Sequence, residues 1–403
     1  MIQGHYNRSL LLLPVFVIVG LCLSCTNEDK PLKTEWKEKY DVELQVVIEG
    51  FNGTQNWFQP RVAWTGKEGE YSLIMQPWYF SISDYFGIYH EMHSYDGGTS
   101  WHSPISLEDS LGDKFRGDTL IRIADVNIQY HSKSRTILGV GGICEYLDGL
   151  QFTAVRHTCY FSYSPVSNGY SSYKVLRMPS DSIFMYSYPG CSQWVELPNG
   201  DILQPFRMWD DKLGQFYCTV ARCSFDGNEM QFKEYGNILK LNRGRGLYEP
   251  SLIEFGGVFY LTLRNDVNGL VTYSKDGLHY NEPVEWKFDT GELINSENTQ
   301  QHWVKSPWGL YLIYTSSKRP ESENVFRGRA PLFIARFDEN KMCLIKSTEQ
   351  VLIPNTGAQL GNFGAFDVDQ THSWVITSEA TTSETLSVGG NNGRVYIAKI
   401  TWY

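Results

Sequence analysis

The residues able to do chemistry fall in a few places. Asp125, in Ala124-Asp125-Val126-Asn127, and His131 lie together on what reads as one inner strand and its turn. His302 follows two glutamines and precedes Trp303. A carboxylic acid with a raised pKa can protonate a glycosidic oxygen, and an imidazole near neutrality can give or take a proton. A structural histidine with its hydrogen bonds satisfied looks the same in a sequence. Glu249, in Glu249-Pro250-Ser251-Leu252, is followed fifteen residues later by Arg264, and Arg61 and Arg329 stand far off in the chain. A planar guanidinium grips a carboxylate through two parallel hydrogen bonds, so several aimed at one point would select an acidic sugar. Taken singly, each arginine is equally readable as a surface ion pair of small energetic weight.

The elements that must position these groups are strands. Short β-type runs alternate with turn signals along the chain, as in Tyr71-Ser72-Leu73-Ile74-Met75, Thr136-Ile137-Leu138-Gly139-Val140, Val258-Phe259-Tyr260-Leu261-Thr262-Leu263 and Leu310-Tyr311-Leu312-Ile313-Tyr314. Long helical periodicity is absent, and many short strands at this length predict an all-β propeller. Ser94-Tyr95-Asp96-Gly97-Gly98-Thr99-Ser100-Trp101 is the strongest turn signal, with glycines for the turn and an aspartate to accept backbone amides. Degenerate relatives are Ser224-Phe225-Asp226-Gly227 and Ser274-Lys275-Asp276-Gly277, about fifty residues apart, the length of one four-stranded blade. A second repeat ends a strand in arginine, once at Arg207 and again at Arg264. Together these repeats predict six blades, with Val395 to Trp402 closing the ring against the first strands.

Composition limits the partners. The formal net charge is −10 and the isoelectric point is near 5.4. No basic stripe is present to neutralise phosphates, so nucleic acid is excluded. A few arginines gathered in one pocket remain compatible with an anionic ligand. Twelve tryptophans and 25 tyrosines suit β structure and sugar stacking. Nothing reads as a metal site or requires a cofactor.

The Ser-x-Asp-x-Gly-x-Ser-Trp stretch at 94–101 matches the Asp-box of sialidase-type propellers, and the chain resembles the bacterial sialidase superfamily over nearly its whole mature length. The resemblance is nearest to an exo-alpha-sialidase-like branch of Bacteroidetes type. Its distinctive strings are Arg245-Gly246-Leu247-Tyr248-Glu249-Pro250, Thr299-Gln300-Gln301-His302-Trp303 and Leu360-Gly361-Asn362-Phe363-Gly364. The resemblance implies that Glu249 is delivered to a pocket from an inner strand. It implies that Arg61, Arg264 and Arg329 (or its neighbour Arg327) form a carboxylate-binding cluster. Arg245, Asn265 and Gln301 are read as further substrate contacts. Asp84 is the only aspartate between Arg61 and the first Asp-box, where the family keeps its acid/base. The family's late tyrosine nucleophile is not matched, because Tyr396 and Tyr403 are the only tyrosines after Arg329 and both lie in the terminal strand. That departure leaves the sialidase mechanism and sialic acid itself open.

Three functions follow as expectations. The first is an exo-acting glycoside hydrolase on a terminal sialic acid, related keto-sugar acid or uronic acid. The second is a uronate lyase with His131 or His302 as base. The third is a glycan-binding protein without turnover. The leader is separate from all of them. Residues 1–25, with the apolar run Leu10 to Leu23 and then Ser24-Cys25, read as a lipoprotein signal peptide, and Cys25 as the lipidated residue. Residues 26–40 read as a tether and 41–403 as the propeller. Glu28 and Asp29 resemble the acidic tag of surface-exported lipoproteins. An exported, outer-membrane, monomeric protein facing the periplasm or cell surface is therefore expected. Six cysteines remain downstream of Cys25, with no spacing that dictates their pairing.

Overall fold

A computed structural model describes residues 40–50, 55–79, 84–147, 151–297, 299–380 and 393–403. The Cys25 lipidation and nearly all of the tether lie outside the described residues. The strands form six antiparallel sheets that follow one another along the chain, giving a six-bladed β-propeller. The inner strands are Gln55–Trp64, Thr119–His131, Val195–Glu196, Tyr248–Phe255, His302–Ser306 and Gly364–Asp367. The ring closes as expected at Val395–Trp402. This strand pairs with Tyr40–Ile48, so the start and end of the described chain share the sixth blade.

The apolar runs that betray the fold belong to the second strands of their blades: Tyr71–Tyr79, Thr136–Leu147, Val258–Arg264 and Gly309–Tyr314. These strands are sandwiched between neighbouring blades and are buried almost throughout, which is why they lack polar alternation. Each seam is an apolar cluster drawn from two blades. Val271 and Tyr260 of the fourth blade, for example, pack with Trp303 and Phe333 of the fifth. The six downstream cysteines are buried free thiols within this framework.

The turn at 94–101 follows the third strand of the first blade. Asp96 accepts the Ser100 amide at 2.9 Å and the Ser100 hydroxyl at 2.6 Å, and these bonds with that of Ser94 hold its carboxyl down to about 2. Gly98 sits at φ 78°, and a Cβ there would lie 2.3 Å from the Trp374 ring. Asp226 and Asp276 accept backbone amides in the corresponding turns of the third and fourth blades. In an antiparallel blade the third strand runs parallel to the first. These turns therefore lie at the end opposite the residues that head the inner strands.

Three inner strands carry the same irregularity. Ladder pairing slips at Gln59-Pro60, Asp125-Val126 and Glu249-Pro250. Gln59, Asp125 and Glu249 adopt φ 49°, 54° and 45°. Non-glycine residues rarely accept this conformation, at a cost of order 1–3 kcal/mol each. A following proline disfavours non-extended backbone further. Such a bulge breaks the in-out alternation and re-aims one side chain. Three blades thus turn a polar side chain out of the ladder at the same level.

Candidate active site

Glu249 is the centre. Its bulge lies beside the end of the next strand, since Tyr248 pairs with Arg264 across the ladder. Arg264 Nη1 donates to Glu249 Oε2 at 2.7 Å. Burial pushes the Glu249 carboxyl up. Arg264 and Arg207 outweigh this, with help from Arg329, and hold it below its usual range. Arg264 itself is 9% exposed on its side chain. Its guanidinium lies 4.8 Å from the Tyr248 ring centre. Tyr248 donates to Asp266 at 2.7 Å, and burial pushes its phenol up to about 12.

Asp125 lies on the other side. Gln59 Nε2 donates to Asp125 Oδ1 at 2.6 Å, and Gln76 donates to the Gln59 carbonyl at 3.2 Å. Burial raises the Asp125 carboxyl. Arg207 and Gln59 oppose that rise, while Glu249 and Asp84 add to it. Two carboxyl groups that feel one another are thus pushed apart, Glu249 down and Asp125 up.

Arg61 follows the Gln59 bulge and is 1% exposed. Its Nη1 donates to the Pro60 and Asn362 carbonyls, whereas Nε and Nη2 have no hydrogen-bond partner among the described residues. Gly364 lets it pass, since a Cβ there would lie 2.8 Å from Arg61 Cδ. Arg329 reaches in ahead of the third strand of the fifth blade, beside Gly361, and donates to Gln359 at 3.2 Å. Burial, with Arg264 and Arg327, lowers its guanidinium to about 9.

The structure therefore gathers Glu249, Asp125, Arg264 and Arg329, with Arg61 beside the Asp125 segment. Asp84 is exposed at the rim, and its charge reaches Asp125. Other candidates sit elsewhere. His131 ends the inner strand, six residues and about 20 Å of strand below Asp125. It is buried between Ser134 and the Gly200 carbonyl, tying the second blade to the third. His302 is 2% exposed, with Nδ1 bonded to Ser251 and its ring edge-on to Phe363. Burial, and then Arg61, push its imidazole well below the usual histidine range. Arg245 is 55% exposed and locked to Asp266. Asn265 and Gln301 are buried and donate to backbone carbonyls. Below the site Gln193 crosses the axis, bonding Ser251 and Trp303. Beyond it lies a separate cavity of about 380 Å³, lined by Trp64, Tyr130, Glu254, Lys305 and Asp367.

Two residues of the site escaped the sequence reading. Gln59 carries no charge and gave no signal. Arg207 did give one, because it is the repeat-mate of Arg264 in the preceding blade.

No protein-family model matches the chain, and no curated protein matches it in sequence. Solved structures do. Trypanosoma rangeli sialidase in complex with sialic acid superposes with a TM-score of 0.57 at 14% identity, over 88% of this chain and 56% of that one. The chain thus spans little more than half the length of that enzyme. Its fold is the sialidase propeller. The Hadza microbial sialidase Hz136 gives a TM-score of 0.61 at 11% identity, covering 85% of this chain and 65% of that one. The NanB sialidase from Streptococcus pneumoniae gives 0.58 at 10%, covering 89% and 70%. At such identities the likeness concerns the fold, and function must be argued from the site.

Proposed function

We propose that this sialidase-fold chain is an exo-acting glycoside hydrolase for a terminal acidic sugar, namely a sialic acid, a related keto-sugar acid or a uronic acid. The observation that carries the reading is the Arg264–Glu249 ion pair at 2.7 Å, with Arg207 and Arg329 near enough to help hold that carboxyl down while a second carboxyl, Asp125, is pushed the other way. Arg61, Arg264 and Arg329 hold the substrate carboxylate. Arg61 brings two buried nitrogens to that task. Asp125, whose carboxyl burial pushes up, donates to the glycosidic oxygen, and Glu249, whose carboxyl the arginines hold down, activates the attacking group.

Three tyrosines near or after the site carry hydroxyls that are engaged elsewhere. Tyr248 donates to Asp266, Tyr396 to Glu379 and Tyr403 to Asp41. The reading gives the chemistry to the carboxyl pair, Glu249 and Asp125. Release of the free acidic sugar from aryl and natural glycosides, abolished by Glu249→Gln, is the test. No release from sialosides or uronosides by the folded wild type would refute it. Export and lipid anchoring belong to the same reading and rest on Ser24-Cys25. Cys25→Ser should move the protein from the membrane to the soluble fraction, and unchanged partitioning would refute the anchor.

A further inference from the structure

Each carboxyl of the site already has a partner, Arg264 for Glu249 and Gln59 for Asp125. Arg207 acts on both carboxyls and bonds to neither. Its Nε is buried without a hydrogen-bond partner among the described residues. The guanidinium is held by rings instead, 3.9 Å from the Tyr188 centroid and 4.7 Å from that of Phe216. Rings take up the faces of the fork and leave the N–H edge for an acceptor. The root is rigid, since Arg207 pairs across the ladder with Tyr188 on one side and Cys218 on the other. Gly190, at φ 69°, leaves that edge uncovered, since a Cβ there would sit in contact with it, 3.8 Å from Arg207 Nε and 3.5 Å from Glu249 Cγ.

The side on which Arg207 lies matters. Gly190 lies beside Arg207 Nε and Glu249 Cγ, and the next residue, Cys191, donates its amide to the Asp125 carbonyl at 3.1 Å, which puts Arg207 on the Asp125 side. A planar carboxylate has two oxygens, which the other three arginines can satisfy. A rigid fork on the Asp125 side of Glu249 needs an acceptor of its own.

We infer that Arg207 binds a second anionic group on the substrate, a sulfate or other ester-linked oxyanion on the acidic sugar or its neighbour. The inference rests on the acidic-sugar reading and narrows it to doubly charged glycans.

The test pairs each acidic terminal sugar (sialic, glucuronic, iduronic and galacturonic acid) with its monosulfated forms and measures affinity for the full chain. At least one sulfated form should bind about tenfold more tightly than its parent, as a charge-assisted bidentate contact allows. In Arg207→Met that ratio should fall to about one to twofold. Arg207→Lys keeps the charge but not the fork, and should also lose most of the ratio, which covers a Met variant that fails to fold. Acidic sugars that bind with no sulfate preference, or a preference that survives both variants, would overturn this inference alone. Binding restricted to neutral sugars and indifferent to Arg264→Lys would overturn the acidic-sugar reading and this inference with it.

Discussion

Arg264 Nη1 and Glu249 Oε2 lie 2.7 Å apart, joining the end of one strand to the bulge that heads its neighbour. Removing the carboxylate strands a guanidinium that is nearly buried. Glu249→Gln should therefore lower stability by about 1–3 kcal/mol, a buried-pair loss discounted for the 22% exposure of the glutamate side chain. Because the folded pKa of Glu249 is depressed, its contribution is present above the unfolded carboxylate value and lost as pH falls through the folded one. The melting temperatures of wild type and Glu249→Gln should converge in acid. A gap unchanged from neutral pH to below pH 3 would contradict the ion pair.

Asp125 supplies the alkaline limb of the pH profile. Activity needs Glu249 ionised and Asp125 protonated, so kcat/KM should rise in acid and fall as Asp125 loses its proton above the usual carboxylate range. Asp125→Asn should lose roughly 100-fold or more on natural glycosides. It should lose far less on aryl glycosides whose leaving group needs no proton, and there the alkaline limb should vanish. Equal losses on both substrates would remove Asp125 from the acid role.

Gln59 tunes that limb. Its amide donates to the charged form of Asp125 and so favours ionisation. Gln59→Met should raise the Asp125 pKa and carry the alkaline limb to higher pH. A limb that stays put or moves down would show that the contact does not act on the reacting proton.

His131 and Asp96 are predicted to matter for the scaffold. His131→Ala breaks buried bonds that tie two blades, and should cost about 1–3 kcal/mol. Asp96→Ala should lower the melting temperature through its turn. Both should leave activity per folded molecule intact, which active-site titration against folded fraction would check.

The propeller was legible because its second strands are buried on both faces and its turns repeat at blade length. Glu249 and Arg264 were legible together because one hairpin sets their spacing. The bulges were not, since a slipped ladder leaves no periodic trace. Without them Gln59 looks like an ordinary strand residue, and His131 looks as near the chemistry as Asp125. Arg207 was visible as a repeat of Arg264 but not as a neighbour of Glu249, a relation created only when the third and fourth blades pack.

The central claim is that this arginine cluster recognises a substrate carboxylate, and one comparison tests it. Aryl glycosides of sialic and uronic acids are set against their carboxyl-reduced counterparts, with wild type and Arg264→Lys. An ammonium cannot reproduce the bidentate fork. The ratio of kcat/KM for acidic over neutral substrate should fall by about thirtyfold or more in Arg264→Lys, the loss of about 2–5 kcal/mol expected for a buried charged partner. A ratio that stays near the wild-type value would leave Arg264 as an inter-strand ion pair and contradict acidic-sugar recognition at this site.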